Sequence, residues 1–141
     1  MSIKQDPERK IQMMLIVMIY SVKLIGIKKT MRLFIKKVDD DALNKHDGLE
    51  CATRLLTNFR QARDNAHARF KGNCLPQSLT LHWLLRKNNL YSTMHFGVKL
   101  QPAFKAHAWI EYKGTPLNAH PDVRKRYQSI NKFNLKLNNF S

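Results

Sequence analysis

Two side chains in the middle of the sequence are of the types that covalent hydrolysis requires. Cys74 lies in Gly-Asn-Cys-Leu-Pro-Gln-Ser-Leu, and His107 lies in Phe-Lys-Ala-His-Ala-Trp-Ile-Glu. Because proline is tolerated in the first turn of a helix, Pro76 places a helix start at about Cys74. The unpaired N–H groups there favour a thiolate and can receive the oxyanion that forms when sulfur attacks a carbonyl. An imidazole on a neighbouring strand would supply the base and the acid of a cysteine hydrolase.

A third group should orient the imidazole, and the register of one hairpin decides which residue is available. A two-residue turn at Lys113-Gly114 would place Asn118 on the same sheet face as His107. The amide oxygen of Asn118 could then accept a hydrogen bond from the ring. A three-residue turn would bring Ala119 to that face instead, and alanine can orient nothing. We predict Asn118 as the third catalytic residue.

The other cysteine and histidines favour structural interpretations. Cys51 lies near the start of another predicted helix and is interpreted as a small packing residue. His82 and His95 are interpreted as core histidines, and Glu111 as a residue at the rim of the sheet. The six histidines and two cysteines show no zinc-ligand spacing, so neither a metal nor another cofactor is expected. A structural interpretation is also open for the first pair, with Cys74 as a packed thiol and His107 as a core histidine. Buried cysteines are common and usually inert.

Composition indicates a folded chain with an acidic partner. The 141 residues are 43% hydrophobic and 25% charged, which is typical of one globular domain with an extension. The net charge of +15 predicts contact with an acidic peptide, nucleic acid or anionic lipid. Nucleic-acid binding rests on charge alone, since the sequence has no zinc finger, RNA-binding motif or helix-turn-helix reader. We therefore predict no nucleic-acid partner.

The N-terminal apolar run from Ile11 to Ile27 predicts a helix. It is interrupted by Lys23 and shorter than a comfortable membrane span, so a packing helix is favoured over contact with a membrane surface, and a span is disfavoured. No signal-peptide cleavage site follows the run. Together with two unpaired cysteines, this predicts a cytoplasmic protein, with membrane association as the alternative.

Hydrophobic periodicity predicts the remaining elements and an α+β fold. An amphipathic helix starts at Leu49, and a second helix, apolar on most faces and therefore central, runs from Cys74 to Lys87. The predicted strands are 90–100, 106–112 and 115–118, and 121–141 is predicted to be an irregular tail. The predicted organisation is an N-terminal apolar and basic helical extension over 1–45, a catalytic domain over 46–127 and a basic tail over 128–141.

Five stretches together resemble the catalytic domain of lasso-peptide biosynthesis B proteins. They are Cys74-Leu-Pro-Gln-Ser-Leu79, Leu84-Leu85, Phe96-Gly-Val98, Phe104-Lys-Ala-His-Ala-Trp-Ile-Glu111 and Gly114-Thr-Pro-Leu-Asn118. Those proteins are leader peptidases of the transglutaminase-like, papain-related superfamily. The resemblance covers residues 48–127. It implies a transglutaminase-like cysteine peptidase core, with helices packed on a small antiparallel sheet, behind an N-terminal helical extension.

The resemblance assigns Cys74 as the nucleophile and His107 as the base, with one departure from the family. The family's orienting aspartate follows the asparagine that matches Asn118, and Ala119 occupies that position here. Asn118, His120 or Asp122 would then replace the aspartate. The alternative is a catalytically impaired transglutaminase-like scaffold of the maturation complex.

The resemblance also implies partners. Family members remove the leader from a ribosomally synthesised precursor peptide before a cyclase closes the lasso. Residues 1–45 show no strand-rich recognition module, so a separate leader-recognition protein is expected.

Overall fold

A computed structural model describes residues 6–37, 48–68 and 73–130 of the chain. Residues 38–45 of the predicted extension and 131–141 of the predicted tail lie outside the described residues. The helices are α1 (Pro7–Phe34), α2 (Gly48–Asn65), α3 (Cys74–Lys87) and α4 (Val123–Arg126). The strands are β1 (Ser92–Lys99), β2 (Lys105–Tyr112), β3 (Thr115–Pro116) and β4 (Gln128–Ser129).

Helix α1 is longer than the predicted apolar run. The side chain of Asp6 caps it by accepting from the Glu8 amide at 3.1 Å, and Pro7 occupies the first turn. At Gly26, with φ of 82°, the helix kinks and then continues to Phe34. Glycine adopts this left-handed conformation without the steric cost of a side chain, so the kink bends the helix instead of ending it.

The apolar surface of α1 is divided between the core and solvent. Ile11, Leu15 and Met18 are buried, whereas the Leu24 side chain is 81% exposed. By length and composition α1 could cross a membrane, and 17% of its most apolar window is buried within the fold. Core helices of water-soluble proteins and N-terminal signal sequences have the same length and composition. The helix is therefore compatible with both a packed and a membrane-associated segment.

The sheet is antiparallel with strand order β3-β2-β1-β4. The turn between β2 and β3 consists of Lys113 and Gly114, with φ angles of 49° and 78°, which is the conformation of a two-residue hairpin turn. Glu111 consequently pairs with Pro116, so the predicted two-residue turn is confirmed. Strand β3 ends at Pro116, two residues earlier than predicted from the 115–118 range.

The two faces of the sheet have different surroundings. Met94, Ile110 and Tyr112 pack in one hydrophobic cluster with buried residues of α1, α2 and α3. His107 and Trp109 alternate with Ile110 and Tyr112 along β2 and therefore lie on the opposite face of the sheet. The predicted α+β fold, with helices packed on a small antiparallel sheet behind a long N-terminal helix, is confirmed.

The prediction of an irregular tail is wrong for 123–129. Val123 is buried at the start of α4, and β4 adds to the free edge of β1 by pairing Gln128 with Val98 and Ser129 with Gly97. Both elements are too short for periodicity to reveal them, and they are ordered by contacts with β1 and β2. Residues 123–129 cover the sheet face on which His107 lies.

Candidate active site

Cys74 is the first residue of α3, as predicted. The side-chain oxygen of Asn73 accepts from the Leu75 amide at 3.2 Å and caps the helix. Cys74 is half-buried, and within the described residues its sulfur forms no hydrogen bond. The thiol is therefore accessible at a helix N-terminus, where backbone N–H groups favour an anion.

A buried serine fixes the start of α3 against strand β2. Ser78 lies one helical turn after Cys74 and so on the same helix face. Its hydroxyl donates to the carbonyl oxygen of Ala108 at 2.9 Å, and Ala108 directly follows His107 in β2. This hydrogen bond brings the helix that carries Cys74 onto the strand that carries His107.

Asn118 joins the same helix to the same strand. Its amide nitrogen donates to Ser78 Oγ at 2.8 Å, and its amide oxygen accepts from the Ile110 amide at 2.7 Å. Because the single Ser78 hydroxyl proton is donated to Ala108, Ser78 Oγ can only accept from residue 118. An asparagine can supply that donor and an ionised aspartate cannot, which explains the residue type at this position.

The Asn118 side chain replaces a backbone carbonyl at the end of the β2–β3 ladder. The Leu117 amide still donates to the Ile110 carbonyl at 2.9 Å, but the Leu117 carbonyl accepts instead from Arg60 Nη2 at 3.1 Å. Asn118 therefore satisfies the Ile110 amide that Leu117 leaves unpaired. Arg60 belongs to a row of arginines on α2 that sequence patterning would leave in solvent, and here it ties α2 to this loop.

His107 is held among aromatic rings on the opposite sheet face. Its ring centroid is 5.9 Å from that of Trp109 and 5.3 Å from that of Tyr127. Gly97, which pairs with His107, makes room for Tyr127, since a Cβ at Gly97 would lie 2.8 Å from Tyr127 Cβ. Burial lowers the pKa of His107, so its imidazole is neutral at pH 7 and able to accept a proton.

Ser78 links the helix of Cys74 to Asn118 and to β2 at the residue after His107, but the His107 ring lies on the sheet face opposite the one that packs on the helices. Within the described part of the chain, no hydrogen bond joins His107 to Cys74 or to Asn118. The Asn118 amide oxygen, which accepts from Ile110, retains a second lone pair. Orientation of His107 by Asn118 stays a prediction.

The two other candidates for the missing aspartate contact each other. The Asp122 amide donates to His120 Nδ1 at 3.1 Å, and the Asp122 carboxylate lies 3.7 Å from the same nitrogen. Both side chains are about half exposed. Ala119 is half-buried and contributes no polar side chain.

The prediction that Glu111 lies at the rim of the sheet is wrong. Its side chain is 2% exposed and accepts from Trp109 Nε1 at 2.9 Å and from Arg124 Nε at 2.8 Å. Arg124 Nη2 forms a second, close bond to the carboxylate, and His95 Nε2 lies 3.4 Å from it. Burial alone would raise the pKa of Glu111, but the hydrogen bonds from Arg124 and Trp109 and the charges of His95 and Arg124 together lower it. Glu111 is therefore an ionised anchor for helix α4.

One feature of the sequence could have indicated that Glu111 is buried. His107, Trp109 and Glu111 follow at two-residue spacing, so they share a sheet face, and another element must pack on that face. Nothing in the sequence near Arg124 indicates that this arginine belongs to that element.

His82 and His95 are packed residues with polar partners. His82 Nδ1 lies 2.7 Å from Ser92 Oγ, and burial lowers the pKa of His82 well below its usual value. His95 Nε2 lies 2.9 Å from Thr93 Oγ1, and the His95 ring stacks on Trp109 at 5.8 Å. Both contacts fit the structural interpretation of these histidines.

Comparison with known proteins places this geometry in a family. Residues 32–132 match the family model described as the transglutaminase-like superfamily. Over 61 residues the chain is 34% identical to the microcin J25-processing protein McjB of Escherichia coli, which corresponds to 43% of this chain and 29% of that protein. The chain thus matches less than a third of its relative's length, and no solved structure is significantly similar to it. Both matches support the resemblance to lasso-peptide biosynthesis B proteins. The chain belongs to the transglutaminase-like superfamily.

Proposed function

We propose that this protein is a cysteine peptidase that removes the leader peptide from a ribosomally synthesised lasso-peptide precursor. Membership of the transglutaminase-like superfamily and similarity to a microcin-processing protein support the reaction class and the pathway. The single observation that carries the proposal is the hydrogen bond from Ser78 to Ala108, because it holds the helix of Cys74 beside the residue that follows His107.

The proposed reaction proceeds through a thioester. Cys74 Sγ attacks the scissile carbonyl carbon while its proton passes to His107, and the N–H groups at the start of α3 stabilise the oxyanion. The C–N bond then breaks, and His107 returns the proton to the departing amine. Water, deprotonated by His107, attacks the thioester and releases the leader as a carboxylate with regeneration of the thiol.

Cys74 and His107 are not hydrogen-bonded in the free protein, and the His107 ring lies on the sheet face opposite the one that packs on the helices, so the proposed reaction requires the two side chains to approach each other when substrate binds. Catalytic hydrogen bonds are often long or misaligned without substrate and tighten when substrate binds. The lowered pKa of His107 keeps the imidazole in the neutral form that the first step requires. Asn118 acts as a positioning residue by joining α3 to β2.

The proposed partners are a precursor peptide, a separate leader-recognition protein and a lasso cyclase. The proposed location is the cytoplasm, with contact between the apolar α1 and a membrane surface as the alternative supported by its exposed leucines. The second candidate function is a catalytically impaired scaffold of the same maturation complex. The observation that favours it is Ala119, which stands where the family carries an aspartate.

The cleavage experiment compares the wild-type protein with Cys74→Ala and Cys51→Ala, using the precursor peptide and the leader-recognition protein. We expect mass spectrometry to show leader release by the wild type and by Cys51→Ala, and none by Cys74→Ala. Leader release by Cys74→Ala at the wild-type rate would contradict the peptidase. No release by folded wild-type protein that still binds the precursor would support the scaffold.

A further inference from the structure

A basic groove lies next to the face of the sheet that carries His107. It is lined by residues 98–101, at the end of β1, and by residues 124–128, in α4 and β4. Its volume is about 420 Å³, within the range of roughly 300–1,000 Å³ that is typical of ligand sites. We call this feature the basic groove.

All charged side chains that line the basic groove are positive. Lys99, Lys125 and Arg126 line it, and no carboxylate does. Within the described ranges none of these three cations forms an ion pair. Arg124 differs, because its guanidinium is held by Glu111 and anchors the segment that carries Lys125 and Arg126. Lys125 and Arg126 are thus presented by an anchored segment, and Lys99 by the end of strand β1.

The strand register places a fourth cation directly beside Lys99. Lys99 pairs directly with Lys105 across β1 and β2, and Lys105 is exposed. Like charges directly opposite each other on neighbouring strands are destabilising. A bound anion would relieve this repulsion, so the arrangement favours an acidic ligand.

Tyr127 connects the basic groove with His107. It lines the groove, and its ring centroid lies 5.3 Å from that of His107. Lys99 also lies on the same sheet face as His107, since it follows Gly97 at two-residue spacing in β1. A chain passing His107 can therefore enter the basic groove without crossing the sheet.

We propose that the basic groove binds an acidic segment of the peptide substrate next to the bond that is cleaved. This inference rests on the proposed peptidase function. The groove also contains the apolar side chains of Val98 and Leu100, which suit the mixed chemistry of a peptide. Single-stranded nucleic acid is disfavoured because it requires aromatic rings on which bases stack, and the Tyr127 ring already lies against His107.

The binding experiment uses Cys74→Ala protein and fluorescein-labelled glycine–serine peptides that carry glutamate, glutamine or lysine. The groove variant combines Lys99→Gln, Lys125→Gln and Arg126→Gln. The control variant removes the same charge from exposed positions on the helices with Arg9→Gln, Arg54→Gln and Lys87→Gln. Equal melting temperatures would show that all three proteins fold.

We expect the groove variant to bind the glutamate peptide roughly tenfold more weakly than the control variant does, because charge complementarity at one site is lost. Rising salt should weaken binding to the control variant and have little effect on the groove variant. A charge-reversed groove with Lys99→Glu and Lys125→Glu should instead prefer the lysine peptide. Equal losses in the groove and control variants would overturn the proposal, as would tighter, groove-dependent binding of a labelled oligothymidine.

A cleavage measurement separates failure of this inference from failure of the proposed function. If the wild type releases leader and the groove variant cleaves acidic and neutral precursors with equal KM, the groove inference is wrong and the peptidase stands. If the glutamate peptide binds through the groove but wild-type protein cleaves no precursor, the groove is an acidic-peptide site, and both the peptidase and the position of the groove beside a cleaved bond are wrong.

Discussion

Replacing His107 with glutamine should lower kcat/KM for leader removal by on the order of 10⁴-fold, because the nucleophile then has no base and the leaving amine has no acid. Glutamine retains polar atoms and comparable bulk beside Trp109 and Tyr127, so the fold should be preserved. The measurement is the rate of leader release by chromatography under single-turnover conditions, with circular dichroism as the check on folding.

His67→Gln is the matched control for this substitution, since His67 is an exposed histidine after α2. Its rate should stay within about twofold of the wild-type rate, as surface substitutions away from special features usually have small effects. If His107→Gln keeps a tenth or more of the wild-type activity, another residue is the base and the assignment of His107 is wrong.

Replacing Asn118 with alanine should lower kcat by about 10²-fold or more and also destabilise the fold. The substitution removes the acceptor for the Ile110 amide and the donor for Ser78 Oγ. A buried amide without a partner costs about 1–3 kcal/mol of stability, to be measured by urea unfolding. The rate falls because the helix of Cys74 and the strand of His107 lose a link, and alignment errors of about 1 Å can cost 10²-fold. An unchanged kcat would contradict any part for Asn118 in the site.

Two further variants separate the ways in which Asn118 could act. Ser78→Ala removes the hydrogen bonds to Ala108 and Asn118, so it should reproduce most of the loss if Asn118 works by joining helix to strand. Asn118→Asp keeps an acceptor but cannot donate to Ser78. Wild-type activity in Asn118→Asp would therefore indicate direct orientation of His107, whereas a loss equal to that of Asn118→Ala would indicate the joining function.

The parts of this site that follow local rules could be predicted from the sequence. Pro76 and the cap at Asn73 fix where α3 begins, so the position of Cys74 was predictable. Gly114 allows the tight turn that sets the register of β2 and β3. Alternation along β2 places His107 and Trp109 on one face.

The parts that depend on distant partners could not be predicted in this way. Glu111 looks like a surface carboxylate until Arg124, thirteen residues later, closes over it. The side chain of Asn118 stands in for the backbone carbonyl of Leu117, which accepts from Arg60 instead. Neither contact has a periodic signal, since each is made by a single side chain across the fold.

The family assignment and the activity rest on different grounds. Residues 32–132 place the chain in the transglutaminase-like superfamily irrespective of catalysis. The proposed activity requires in addition that Cys74 is an activated nucleophile, whereas the contacts of Ser78 and Asn118 concern only the position of the helix that carries Cys74.

The most direct test of the central claim is mass spectrometry of the protein after acid quenching of a single turnover of precursor, with Cys51 of the same chain as the internal control. A cysteine peptidase holds the acyl part of its substrate as a thioester on the nucleophile. We predict that the leader is found joined to Cys74 and not to Cys51, and that His107→Gln lowers the amount of this thioester. If the wild type releases leader while no thioester forms at Cys74, Cys74 is not the nucleophile and the peptidase account is wrong.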